Sequence, residues 1–303
     1  MRRELRRVLL AAWAMLPLGA LADMPAGTKI ERNVVYGMYS GAALLLDAYR
    51  PAKPNGVGIV FIAGSGFQAA PEYGARPIKE TQIDLWGPPL VAAGYTVFSV
   101  NHRGAPAFHY PAALDDVQRA IRYVRAHARD YGVDGARLGG LGGSSGGNLI
   151  GLAAVRAAPG IAGDADAVNR QSATLQAVVL RAAVSDLRGL PTAEGANFVV
   201  SYMETPPGNS AAVKALYAAA SPVTQVGPAA PPTLLIHGDA DALVPYAQSA
   251  AMEAALRQAG VPTRLLTVPG GVHGADFGGG THADWPNYYA ETVGWFDKHL
   301  RGK

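Results

Sequence analysis

The stretch Arg137-Leu-Gly-Gly-Leu-Gly-Gly-Ser-Ser-Gly-Gly-Asn-Leu149 runs from an apolar, strand-like segment into a serine pair wrapped in glycines, and then into a helical pattern. A serine at a sharp strand-to-helix turn is held in strained backbone geometry, and glycines two residues to either side let the chain pass close to itself. Such a turn exposes the hydroxyl and aims a helix N-terminus at it, as a nucleophile elbow does. Two serines satisfy G-x-S-x-G here, Ser144 within Gly142–Gly146 and Ser145 within Gly143–Gly147, and the pattern alone leaves both open. The chain holds 37 glycines, so the order of the surrounding residues has to carry the reading.

Working outward, runs rich in Val, Ile and Leu recur at Ala43–Tyr49, Val57–Ala63, Thr96–Asn101, Arg137–Gly142, Leu175–Ala183, Thr233–His237 and Thr263–Val268. Helical periodicity lies between most of them: Leu114, Val117, Ile121 and Val124 repeat at three and four residues, as do Tyr289, Val293, Phe296 and Leu300. This alternation predicts an α/β fold with a mostly parallel sheet covered by helices on both faces. Asn33–Tyr36 and Ala43–Tyr49, joined across Ser40-Gly41, read as an antiparallel hairpin. Residues 185–220, with Pro191, Pro206, Pro207 and scattered aromatics, break the alternation and predict a small cap insertion.

Acyl transfer needs a nucleophile, a base, a carboxylate that orients the base, and donors for the developing oxyanion. Leu234-Leu-Ile-His-Gly-Asp-Ala-Asp-Ala-Leu-Val-Pro245 places carboxylates just past a strand, where open α/β sheets carry their sites. Asp241 is the expected acid and Asp239 its rival. His273 lies on a glycine-rich loop after the last predicted strand and is the expected base, with His282 the rival on the same loop. The remaining histidines, His102, His109, His127, His237 and His299, read as structural. Ile62-Ala-Gly-Ser-Gly-Phe67 runs from a strand into small residues with unshielded N–H groups, which suits an oxyanion loop. Phe67, Tyr73, Trp86, Phe198 and Tyr202 are expected to wall a substrate pocket.

The first 22 residues combine a basic start, an apolar run from Val8 to Leu21, and Ala20-Leu-Ala22 before Asp23. This predicts a signal peptide cleaved after Ala22, a mature domain over residues 23–303, and a periplasmic or secreted location. Removing its four arginines and one glutamate from 26 basic and 23 acidic residues leaves 22 of each, so the formal +3 vanishes and nothing favours a nucleic-acid or membrane partner. With no cysteine, disulfides and thiolate metal sites are excluded. No H-E-x-x-H pair is present, and a serine stands inside the glycine cluster where a pyrophosphate turn needs none, so neither a metal nor any other cofactor is expected.

With these residues in place the chain resembles the α/β-hydrolase esterases grouped with hormone-sensitive-lipase-like and feruloyl- and acetylxylan-esterase-like secreted bacterial carboxylesterases. The resemblance runs through Val34-Val-Tyr-Gly37, Leu44-Leu-Leu-Asp-Ala-Tyr-Arg-Pro51, Val100-Asn-His-Arg-Gly-Ala-Pro106, Tyr110-Pro-Ala-Ala-Leu-Asp-Asp-Val117, the elbow and Ala220-Ser-Pro-Val223. It implies an α/β-hydrolase fold, the chain order Ser, acid, His, and a small-molecule or polysaccharide-linked ester as substrate. The resembled elbow continues Gly-Gly-Asn/His-Leu, which fits Gly146-Gly-Asn-Leu149 only with Ser144 as nucleophile. Matched to the family's oxyanion loop, Ser65 and Gly66 become donors beside the Ser145 N–H. That loop usually begins His-Gly-Gly-Gly, and here it reads Ala63-Gly-Ser-Gly66, so its usual support is missing.

Overall fold

The computed structural model describes residues 23–70, 72–156, 158–190, 195–274, 277 and 282–303. The export segment expected over residues 1–22 lies outside the described residues. Eight strands form one sheet: β1 (Lys29–Tyr39), β2 (Ala42–Arg50), β3 (Gly58–Ile62), β4 (Thr96–Val100), β5 (Leu138–Gly143), β6 (Ala177–Arg181), β7 (Thr233–Gly238) and β8 (Thr263–Val268). Their spatial order is β1-β2-β4-β3-β5-β6-β7-β8. The β1–β2 and β2–β4 pairs are antiparallel and every other pair is parallel. Ser40 and Gly41, both at positive φ, close the β1–β2 hairpin; two consecutive left-handed residues match the twist of the strands they join.

β3 through β7 are buried along their whole length, as strands covered on both faces must be. On one face lie α2 (Ala112–Ala126), α3 (Ser144–Val155) and α6 (Ala247–Gln258), whose Leu114, Val117, Ile121, Val124, Leu149, Met252 and Leu256 join a single core cluster. The opposite face carries α1 (Ile83–Ala92) and α7 (Tyr288–Phe296), contributing Ile83, Trp86, Leu90, Tyr288 and Phe296 to a second. Each fully buried aliphatic or aromatic side chain contributes about 1.5–3 kcal/mol, so the periodic stripe of α2 is sufficient reason for that helix to dock. This is the α/β-hydrolase arrangement that the alternation and the resemblance led one to expect.

Between β6 and β7 the chain forms α4 (Gly195–Met203) and α5 (Ala211–Ala219). Val199, Tyr202, Met203 and Tyr217 pack into the α2/α3 core cluster. The Tyr110 N–H donates to the Tyr202 carbonyl at 2.9 Å, and His109 Nδ1 meets the Ser201 carbonyl at 2.8 Å, which fixes α4 against the chain leading into α2. Among the described residues no helix is long and apolar enough to cross a membrane.

Candidate active site

β5 ends at Gly143 and α3 begins at Ser144, whose φ is +52°. A non-glycine residue reaches this left-handed region at a cost, and the surrounding contacts have to hold it there. They do so by close approach of backbone to backbone. A Cβ on Gly142 would lie 2.3 Å from the Gly146 carbonyl oxygen, and one on Gly146 would lie 2.2 Å from the Ile62 carbonyl oxygen. Both positions therefore admit only glycine, and the turn brings Ser144 against the end of β3.

The Ser144 Oγ lies 3.1 Å from His273 Nε2, and His273 Nδ1 lies 2.7 Å from Asp241 Oδ2. Gly238, closing β7, and Gly271, on the loop after β8, meet back to back: a Cβ on Gly238 would sit 2.1 Å from the Gly271 carbonyl oxygen. The Gly271 carbonyl also accepts the Ala240 N–H at 3.0 Å. Acid loop and base loop are thus stitched together at their roots, which sets Asp241 and His273 at bonding distance.

Asp241 is buried, with Oδ1 accepting from the N–H groups of Leu243 and Val244 at 3.0 and 2.8 Å. Burial alone would raise its pKa, yet bonds from His237, His273 and the Val244 N–H outweigh it and hold the carboxyl below the usual carboxylate range. His237 is fully buried, and its Nε2 faces two oxygens, Asp241 Oδ2 at 3.2 Å and the Val244 carbonyl at 2.8 Å. Nε2 therefore carries the hydrogen, and Nδ1 accepts from the Ser249 hydroxyl at 2.7 Å. By the same reasoning His273 donates from Nδ1 to Asp241 and offers the Nε2 lone pair to the Ser144 hydroxyl. That arrangement can take a proton from Ser144 and stabilise the resulting imidazolium.

The rivals are elsewhere. Asp239 is exposed and accepts the Gly270 N–H at 2.6 Å, a further bond between the acid loop and the base loop rather than a contact with His273. His282 is exposed and packs at a tilt against Trp285 with ring centroids 4.4 Å apart. His127 faces Asp130, His299 packs at a tilt against Trp295, and His102 Nδ1 meets the Arg103 carbonyl. His237, read as structural from sequence, touches the acid directly; its signal was the four-residue spacing His237–Asp241 across a strand end.

Ser145 lies in the first turn of α3, where N–H groups have no partner within the helix and the helix dipole favours negative charge. The Gly66 N–H has no partner among the described residues. The Ser65 N–H, by contrast, donates to Ser145 Oγ at 2.9 Å. Of the three expected oxyanion donors, Ser65 is thus engaged by a neighbouring hydroxyl, and sequence reasoning had assigned Ser145 only a backbone role.

Three aromatics gather beside this loop. Phe67 stacks face to face on Tyr202 with centroids 4.0 Å apart, which offsets the cost of its φ of +62°. Phe198 of α4 lies against Gly66, 2.9 Å from where a Cβ would be. Trp86 corrects the expectation: it is buried on the other face of the sheet, where α1 packs on α7, with its ring 4.8 Å from that of Tyr289. Tyr73 is fully exposed and walls nothing. A cleft of about 570 Å³ lies between β1 and α2, and another of about 540 Å³ between α1 and α7; neither is lined by Ser144, Asp241 or His273.

Known proteins resemble this chain in sequence and in fold. Residues 46–256 match the BD-FAE family model. Esterase LipQ of Mycobacterium tuberculosis is 34% identical over 57% of this chain and 41% of its own length. Esterase LipC of the same organism is 30% identical over 81% of this chain and 60% of its own length, so the chain spans about half the length of these curated relatives. Among solved structures, a truncated carbohydrate esterase from gut microbiota superposes with a TM-score of 0.73 at 27% identity, covering 92% of this chain and all of that one. An acetyl ester-xyloside bifunctional hydrolase from Caldicellulosiruptor lactoaceticus gives 0.74 at 26% identity, covering 88% and 95%. The chain belongs to the BD-FAE family of α/β-hydrolase-fold carboxylesterases.

Proposed function

We propose that this protein is a serine esterase that cleaves short-chain acyl esters, acetyl groups on carbohydrate among them, through a covalent acyl-enzyme. The observation that carries the reading is the continuous relay from Ser144 Oγ through His273 to Asp241, at 3.1 and 2.7 Å. Ser144 attacks the ester carbonyl while His273 Nε2 takes its proton, and Asp241 stabilises the imidazolium. The oxyanion that forms is met by the N–H groups of Ser145 and Gly66, joined by that of Ser65 once it leaves the Ser145 hydroxyl. His273 returns the proton to the departing alkoxide, and a water activated by the same nitrogen then frees the acid and regenerates Ser144.

The short-chain preference is supported by Phe67, Phe198 and Tyr202 crowding the loop that faces the nucleophile. The carbohydrate substrate class rests on the two solved esterases, whose names carry that chemistry. The basic, apolar and Ala-Leu-Ala segments at the N-terminus support export, with Asp23 as the mature N-terminus. No cofactor enters the scheme. The test is a panel of p-nitrophenyl esters from two to sixteen carbons, run beside acetylated xylan and a feruloyl ester, with fluorophosphonate labelling and peptide mapping. The expected result is fastest turnover of the short esters and a single adduct on Ser144; faster turnover of sixteen-carbon than of four-carbon esters, or an adduct on Ser145, refutes the reading.

A further inference from the structure

Gln82 caps α1 in a left-handed conformation, with φ at +60°, yet its side chain makes no hydrogen bond to the helix it caps. It turns away toward the loop after β3. There its Nε2 donates to the Gly64 carbonyl at 3.2 Å, and its Oε1 accepts the Gly64 N–H at 3.4 Å, so one primary amide grips both polar groups of one residue. Gly64 is the part of that loop pressed on the nucleophile: a Cβ there would lie 2.9 Å from Ser144 Cβ and 3.1 Å from the Gly143 carbonyl oxygen. The Gln82 Oε1 itself lies 3.6 Å from where a Cβ on Gly143 would be, so the amide sits beside both the loop and the elbow. Position 63, at the start of the loop, holds an alanine, which has no side-chain donor or acceptor with which to brace it.

We propose that Gln82 is the positioning residue of the oxyanion loop, holding Gly64 so that the next two N–H groups, of Ser65 and Gly66, present at a fixed distance from Ser144. The proposal rests on the serine-esterase reading. The primary amide of Gln82 supplies together, on two separate atoms, the donor and the acceptor that pair with Gly64. A carboxylate would accept from the Gly64 N–H but repel its carbonyl, and an aliphatic chain would leave both groups unpaired. The strained backbone at position 82 argues the same way, because glycine would adopt that φ without cost, and the side chain is kept in spite of it.

Gln82→Gly is the decisive variant, since it removes the clamp while relieving the backbone, and so separates positioning from folding. On p-nitrophenyl acetate its kcat should fall about 10- to 100-fold, the penalty for displacing a reacting group's partners by about 1 Å, with KM within about threefold of the parent and no loss of thermal stability. Gln82→Leu, which keeps the bulk, should lose kcat in the same way. Hydrogen–deuterium exchange of the peptide spanning residues 60–70 should accelerate in both variants. Unchanged exchange there, or a kcat within about twofold of the parent in the Gln82→Gly variant, overturns the proposal. The esterase reading fails separately, if Ser144→Ala leaves hydrolysis intact, and the exchange measurement still decides whether Gln82 holds the loop.

Discussion

At the scale of single residues, the two adjacent serines do different work. Ser144 holds the strained φ and faces His273, whereas Ser145 is buried and spends its hydroxyl on the Ser65 N–H. Ser144→Ala should lower kcat by several orders of magnitude, leaving the contribution of binding and oxyanion donors. Ser145→Ala keeps the backbone N–H and releases that of Ser65, so it should retain activity within about tenfold, as steady-state kinetics on p-nitrophenyl butyrate will read. The reverse ranking would move the nucleophile to Ser145. Asp241 gives a pH prediction whose sign is set by its depressed pKa. Such a group adds stability that is fully present above its unfolded value of about 3.9, and that is lost as pH falls toward the folded one. Asp241 therefore stays ionised through mild acid and contributes to unfolding only below about pH 4. Asp241→Asn should flatten that part of a plot of melting temperature against pH while lowering kcat at neutral pH on the order of 10⁴-fold, the loss expected when a triad acid becomes an amide. An unaltered acid limb would mean that the carboxylate is not stabilised by its partners.

At the scale of elements, the elbow and α4 can be tested separately. A Cβ on Gly146 would strike the carbonyl oxygens of Ile62 and Ala63 at 2.2 and 2.6 Å, and neither can swing aside because both belong to the backbone at the end of β3. Gly146→Ala should cost about 3–5 kcal/mol, among the largest single-residue effects, and show as a melting temperature lower by roughly 10 °C. For α4, Phe198→Ala opens space beside Gly66, so the ratio of kcat/KM for octanoate over butyrate esters should rise, each newly buried methylene adding at most about 0.8 kcal/mol. An unchanged ratio would place the acyl chain elsewhere. These elements also show what could be read from sequence and why. The strands were legible because a sheet covered on both faces demands continuous apolar runs, and α2 because one of its faces meets the sheet and the other meets water. Less legible was α1, since Pro88 and Pro89 lie inside it and argue against a helix; burial of Ile83, Trp86, Leu90 and Val91 outweighs the lost backbone bonds. Trp86 was misplaced for a related reason: sequence shows that a ring is apolar but not toward which face of the sheet its helix turns. Ser144, Asp241 and His273 were nominated by loop context and family pattern, whereas Gln82 and His237 act through bonds between segments distant in sequence or across a strand end, and no local pattern announces them.

At the scale of the whole molecule, the antiparallel edge of the sheet is tied to the candidate site through a buried charge. Lys79, 1% exposed, pairs with the fully buried Asp47 of β2 at 2.8 Å and also reaches Glu80 at 3.2 Å. Asp47 further accepts the Asn33 N–H at 2.8 Å, and the Ser99 hydroxyl of β4 donates to the Lys79 carbonyl at 2.5 Å. Three residues on, the chain reaches Gln82. The pair thus fastens the segment that carries the Gly64 clamp onto β1, β2 and β4. Breaking a buried pair costs more than the pair contributes, because the surviving charge is left without its partner in a place water does not reach. Lys79→Met should therefore cost about 3–5 kcal/mol, since the remaining cation at Asp47, Arg32 at 3.3 Å, has a side chain 55% exposed and holds only one oxygen. In a chain of this size that is a drop in melting temperature of roughly 10 °C. Removing both charges together, as Lys79→Met with Asp47→Leu, should recover most of the loss, leaving the cost of an unpaired Asn33 N–H at about 1–3 kcal/mol. Thermal melts of the two single variants and the double variant measure this as a coupling energy. If Lys79→Met melts within about 2 °C of the parent, Asp47 is reached by water, and the hairpin edge is not fastened to the loop that Gln82 holds.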